Sequence, residues 1–243
     1  MQSYDLIELK GVLKLNMNKN RILIVAAHPD DEIIGCGGTI SRLVEQGWEA
    51  FTLILGEGKT SRDETRNRNQ RIDEINNLKK EVEKANNLIG VSDVFLYDFP
   101  DNRFDTVPLL DIIKTIEKIK NNIKPSMIFT HYKDDLNIDH RIINQAVLTA
   151  TRPVKNEFVN SIYAFEIASS TEWKFPISFS PDVFYDISNY LTVKLKAMSE
   201  YESELKNYPH PRSLDGLKLI SQYWGMRTGF EYAEAFKNVR ILV

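Results

Sequence analysis

Six consecutive apolar residues, Ile22-Leu-Ile-Val-Ala-Ala27, follow Arg21 and run straight into His28-Pro-Asp-Asp-Glu32. A run of this length and uniformity fits a parallel strand covered on both faces, because neither face offers water a polar side chain. A parallel strand needs a crossover, usually helical, to reach its neighbour, and the rest of the chain supplies that alternation. Gly35 to Gln46 reads as a helix with Ile40, Leu43 and Val44 on one face and Gly47 as its stop. Ala50 to Leu55 is a second strand. After a polar stretch from Lys59 to Gln70, whose early part is expected to be a mobile loop, a helical pattern runs from Ile72 to Leu88. Val94 to Tyr97, Ser126 to Thr130 and Ser161 to Ile167 are further strands, separated by helices at 109–123 and 139–150. Beyond them come helices expected at 187–205 and 214–226. The fold class is α/β: a Rossmann-like, mostly parallel sheet flanked by helices, of order 3-2-1-4-5 with a C-terminal elaboration.

The 243 residues, with 31 basic and 34 acidic side chains, are read as a single domain over 1–243, comprising an N-terminal extension at 1–20 and the elaboration at 170–243. A net charge of -3 lacks the basic excess that nucleic acid requires, so no nucleic-acid partner is expected. No apolar run approaches the roughly 18 residues needed to cross a bilayer, and no export signal is evident, so a cytoplasmic location is expected. The single cysteine, Cys36, excludes an intrachain disulfide and a thiolate cluster. Any bound metal must be held by nitrogen and oxygen.

Ligands of parallel sheets bind outside the carboxyl ends of the strands. There the first strand delivers His28, Asp30 and Asp31, donors suited to zinc or ferrous iron. Adjacent Asp30 and Asp31 cannot point the same way, so one can bind metal while the other faces a water. Acids at a helix start also serve as caps, which is an equally good account of Glu32 alone but leaves His28 unexplained. The fourth strand leads into a second cluster, His131-Tyr-Lys-Asp-Asp-Leu-Asn-Ile-Asp-His-Arg141. First and fourth strands adjoin at the switch point of such a sheet, so a histidine from this cluster can complete a His, Asp, His site.

The segments Ala27-His-Pro-Asp-Asp-Glu32 and Asp135-Leu-Asn-Ile-Asp-His-Arg141, with Gly225, Gly229 and Tyr232-Ala-Glu-Ala-Phe236, resemble the PIG-L/LmbE-like family of N-acetylglucosaminyl de-N-acetylases. The resemblance runs from about Arg21 to the C-terminus. It implies a zinc-dependent hydrolase, with Fe2+ as the alternative metal, acting on a small N-acetyl sugar. It further implies that His28, Asp31 and His140 bind the metal, that Asp30 is the general base, and that Asp101 helps to hold sugar hydroxyls.

Two positions depart from the family pattern. Many members carry histidine three residues before the last ligand to assist the oxyanion; here it is Asn137, a neutral donor. His131 and His210 are the candidates to supply the missing role, and both are expected to face substrate together with Arg212, from the segment Tyr208-Pro-His-Pro-Arg212. Where many relatives have an arginine, this chain has Leu78, with Arg66, Arg68 and Arg71 as substitutes. Two rival readings follow: a metal-binding but inactive module, favoured by Asn137, and a nucleotide-binding loop at Gly35-Cys-Gly-Gly38, disfavoured because polar residues separate those glycines from the strand end. Trp173, Trp224 and the aromatics of 175–184 are expected in core or lid packing. The oligomeric state is not read.

Overall fold

The computed structural model describes residues 7–8 and 20–243. One mixed sheet runs through them in the order β1-β4-β3-β2-β5-β6-β8-β7. The strands are β1 (Ile7–Glu8), β2 (Arg21–Ala26), β3 (Glu49–Gly56), β4 (Asp93–Phe99), β5 (Met127–His131), β6 (Ser161–Phe165), β7 (Val183–Asp186) and β8 (Ala233–Ile241). From β4 to β6 all neighbours are parallel, the expected 3-2-1-4-5 order; β1, β7 and β8 are antiparallel additions.

Side chains of β2 alternate between two cores, as a strand's two-residue period requires. Ile22, Ile24 and Ala26 meet helices α1 (Asp31–Glu45) and α2 (Ile72–Leu88), whereas Leu23, Val25 and Ala27 meet α3 (Leu109–Ile123) and α4 (Ile138–Ala150). Because α1 and α4 leave the sheet on opposite faces, the ends of β2 and β5 part and open a crevice. Helices α5 (Leu191–Ser199) and α6 (Leu214–Thr228) cover the first face.

The helix expected over 187–205 is shorter than its pattern. Asp186 accepts hydrogen bonds from the backbone and hydroxyl of Ser188, making a turn that delays the helix to Leu191, and β7 precedes it unannounced. The glycines of α1 serve close packing. A Cβ on Gly35 would lie 2.5 Å from the Phe165 ring, and one on Gly38 would lie 3.0 Å from Ile187, which leaves no room for a phosphate there. Trp224 is core; Trp173 is 45% exposed and edge-on to His210.

Candidate metal centre

The end of β2 turns sharply at Asp30, whose φ of 105° is unusual for a residue with a side chain. The turn is held from both sides. Its carbonyl accepts the amides of Ile33 and Ile34, and the buried Glu32 carboxylate accepts the Asp30 amide at 3.2 Å. Tyr201 and Asn86 bind the other oxygen of Glu32. Burial pushes the Glu32 carboxyl up to about 7. Glu32 therefore supports the turn from within the core and does not reach the cleft. Asn102 and Ser169, also at positive φ, line the same cleft, so backbone strain gathers around it.

Starting α1 at Asp31 lets that carboxylate fold back onto the His28 amide at 2.8 Å. Asp31 Oδ2 then lies 3.4 Å from His28 Nδ1 and 3.4 Å from His140 Nε2, although His28 and His140 are far apart in the chain. Each imidazole has a carboxylate behind it. His28 Nε2 is 2.9 Å from Asp139 Oδ2, and His140 Nδ1 is 3.1 Å from Asp135 Oδ1. Asp139 is in turn fixed by the Phe104 amide, and Asp135 by Ser170, Thr171 and the Asn137 amide.

Two imidazoles facing one carboxylate, each backed by a second carboxylate, form the donor set of a divalent cation site. Both buried His140 nitrogens are left without a well-formed hydrogen bond among the described residues, Nε2 facing Asp31 and Nδ1 facing Asp135. His28, Asp31 and His140 therefore fit zinc or ferrous iron.

The electrostatics follow from crowding. Burial alone would depress His140, but Asp31 and Asp135 outweigh it and hold the ring up to about 9. His28 is likewise held well above the usual imidazole range, Asp139 and Asp31 overcoming its burial. Burial would raise Asp31; the adjoining imidazole of His140, with the hydrogen bond from His28, holds it well below the carboxylate range. Asp30 goes the other way. Burial lifts it well above its ordinary value, opposed by Arg212, whose guanidinium sits 3.2 Å from Asp30 Oδ2.

The triad opens into a polar cleft of about 280 Å³. Asp30, Asp101, Asn137 and Arg212 line it together with Arg62 and Glu204. Asp101 spends its carboxylate within the protein, accepting from Ser61 and Asn102. Asn137 caps α4 through the Asp139 amide and donates to Asn102 at 2.7 Å, so both ends of its side chain are engaged.

His131 and His210 do not face the cleft. His131 is fully buried beneath the triad, stacked on His140, and His210 lies behind the cleft against Trp173 with Nδ1 accepting the Arg212 amide. A histidine at a strand end and one between prolines carry no sequence sign of which way the ring points. Nor do the arginines substitute for Leu78 in the cleft. Arg66 and Arg68 clasp the buried Glu57, and Arg71 pairs with Asp63 and Glu74. These pairs, with Lys59 on Ser203 and Glu204, pin the stretch expected to be mobile. Asp135 and Asp139 lie in the second cluster, and only their depth behind the imidazoles shows what they do there.

Fold and site together define an α/β protein that gathers a His, Asp, His cradle at the switch point of a parallel sheet. The chain belongs to the PIG-L family: the GlcNAc-PI de-N-acetylase family model matches residues 23–151, just over half of it. It is 29% identical over 202 residues to the uncharacterized deacetylase YaiS of Escherichia coli K12, a match covering 80% of this chain and 98% of that one. It is 28% identical over 188 residues to a probable N-acetyl-alpha-D-glucosaminyl L-malate deacetylase 2 of Bacillus cereus, covering 76% and 84%. Among solved structures, the 4-carboxy-2-hydroxymuconate hydratase GalB of Pseudomonas putida KT2440 superposes with a TM-score of 0.73 at 20% identity, covering 92% and 98%. This architecture thus also carries a hydratase, so the fold alone does not set the reaction. No helix among the described residues is long and apolar enough to cross a membrane.

Proposed function

We propose that this protein is a metal-dependent hydrolase that removes the N-acetyl group from an N-acetylglucosamine-type sugar or conjugate. The observation that carries the reading is a spare buried carboxylate, Asp30, next in sequence to a cradle carboxylate and lining the same cleft. A hydratase and a deacetylase both need a polar cleft; the family and the named deacetylase relatives favour amide hydrolysis.

His28, Asp31 and His140 would hold the cation, Zn2+ or alternatively Fe2+. When bound, the cation supplies Lewis acidity, polarising the acyl oxygen and acidifying water. Asp30 takes the proton from the attacking water and returns it to the leaving amine, so that acetate and an amino sugar form. The upward push on the Asp30 carboxyl suits both halves of that transfer, since a strongly acidic group would be a poor proton acceptor. Arg212 orients Asp30 and keeps its charge balanced between the two halves. Asn137, which gives one amide hydrogen to Asn102, has a second for the developing oxyanion, and the Asp101 acceptor capacity beyond Ser61 and Asn102, with Arg212, meets the sugar.

Acetate release from a panel of N-acetyl sugars, including N-acetylglucosaminyl malate, tests the reading. Zinc-loaded protein should turn over at least one of them, and Asp30→Asn should keep its zinc by elemental analysis while losing most of that rate. An Asp30→Asn protein of undiminished rate rejects Asp30 as the base. A loaded wild type inert on the whole panel favours the alternative, a metal-binding module without turnover, for which the prior engagement of both ends of Asn137 is the supporting observation.

A further inference from the structure

We propose that His131 is a positioning residue that ties the two ligand imidazoles, His28 and His140, to one another; the inference rests on the cation-site reading above. The pairing of β2 with β5 stays in register only as far as Val25 opposite Thr130. Two residues further on, the Ala27 amide finds no strand carbonyl and instead donates to His131 Nε2 at 2.8 Å. The imidazole replaces a rung of the ladder where the two strands part. That bond fixes the last residue before His28.

The same ring fixes His140. The two rings stack with centroids 4.0 Å apart and planes 15° from parallel, while Phe165 packs edge-on to His131 at 4.9 Å. The His131 carbonyl accepts Asn144 Nδ2 at 2.9 Å, one helical turn beyond His140, so α4 is held to the end of β5 at both ring and backbone. One side chain thus touches the approach to each ligand.

Packing alone does not account for a histidine here. Because Nε2 accepts the Ala27 amide, the ring proton is on Nδ1, and buried Nδ1 has no partner among the described residues. A phenylalanine would fill the same space without stranding that donor, but would strand the Ala27 amide. The acceptor and the flat face are both required, and only imidazole offers the two at this reach.

The test uses Co2+ as the probe and no sugar, so it is independent of turnover. Full-length wild type, His131→Phe and His131→Gln are titrated with Co2+ against a competing chelator, the visible absorption band is recorded, and far-ultraviolet circular dichroism reports folding. His131→Phe keeps the ring and loses the acceptor; His131→Gln keeps an acceptor of similar reach and loses the ring. Folded variants should bind Co2+ at least about 10-fold more weakly, the range seen when residues behind metal ligands are changed, with a shifted band marking altered ligand geometry. If His131→Phe fails to fold, His131→Gln decides by the same criterion. A folded variant with affinity within twofold of wild type and an unchanged band overturns the proposal. Wild type that binds Co2+ but releases no acetate leaves this proposal intact and counts against hydrolysis alone, whereas wild type that binds no Co2+ removes both.

Discussion

The crowding at the triad makes metal-free protein and metal-loaded protein respond to pH in opposite directions. In the metal-free state Asp31 and Asp135 hold His140 up to about 9, against 6.5 in an unfolded chain. A histidine raised in this way contributes stability that is fully present below pH 6.5 and is lost as pH rises through about 9. The difference of some 2.5 units corresponds to about 3 kcal/mol, counted once for the His140 and Asp31 pair because their shifts report one interaction. Metal binding runs the other way, since a ligand imidazole must first release its proton. At pH 7, about two units below the value at which folded His140 loses its proton, cation affinity should be about 100-fold below its alkaline limit from this group alone. His28, also held up, adds a second proton, and the affinity should climb by between one and two decades per pH unit below pH 9. Urea unfolding of chelator-treated protein at pH 6, 7.5 and 9 measures the first effect; calorimetric zinc titration in buffers of different ionisation enthalpy counts the released protons. Metal-free stability that is level or rises between pH 6.5 and 9, or zinc binding that releases no proton at pH 7, refutes the electrostatic account.

Further outcomes concern the supports of the site. Gly35→Ala, which in an exposed helix would gain about 0.5–1 kcal/mol, should instead lose about 1–3 kcal/mol in chemical denaturation, because its Cβ meets Phe165. A gain in stability would show that the helix can shift freely. Asn137→Ala removes the α4 cap and should cost about 1 kcal/mol; a neutral result would mean water replaces the side chain without loss. Lys59→Met leaves Glu204 with Arg62 as its remaining cation, and unfolding should come about 2 kcal/mol more easily, with protease cutting within 59–70 rising in parallel. Resistance equal to wild type would argue that the other ion pairs suffice to pin that loop.

The strand order was legible because it depends on short-range pattern. An apolar run between a basic residue and a His-Pro-Asp-Asp turn has few ways to be buried, and successive strand and helix periods impose the rest. The terminal strands were harder to read: Ile7–Glu8 is too short to carry a period, and β7 and β8 are strands of mixed polarity held by pairing with each other and β6 and by packing against α6, partners distant in the chain. The helix beginning at Leu191 was overread for a related reason, since the Asp186 and Ser188 turn competes locally with a helical pattern.

By itself the sequence determined the two clusters, the sheet that brings their strands together, and the family, because each rests on residues close along the chain. The resemblance already pointed to His28, Asp31 and His140; tertiary structure decided which carboxylates back the imidazoles and that His131 lies buried behind them rather than in the cleft. Those assignments turn on contacts such as Ala27 with His131, His28 with Asp139 and Asp30 with Arg212, between residues more than 100 positions apart. No local period encodes the direction of a side chain at a strand end; it is chosen when the two faces of the sheet close and every buried polar atom must find its partner.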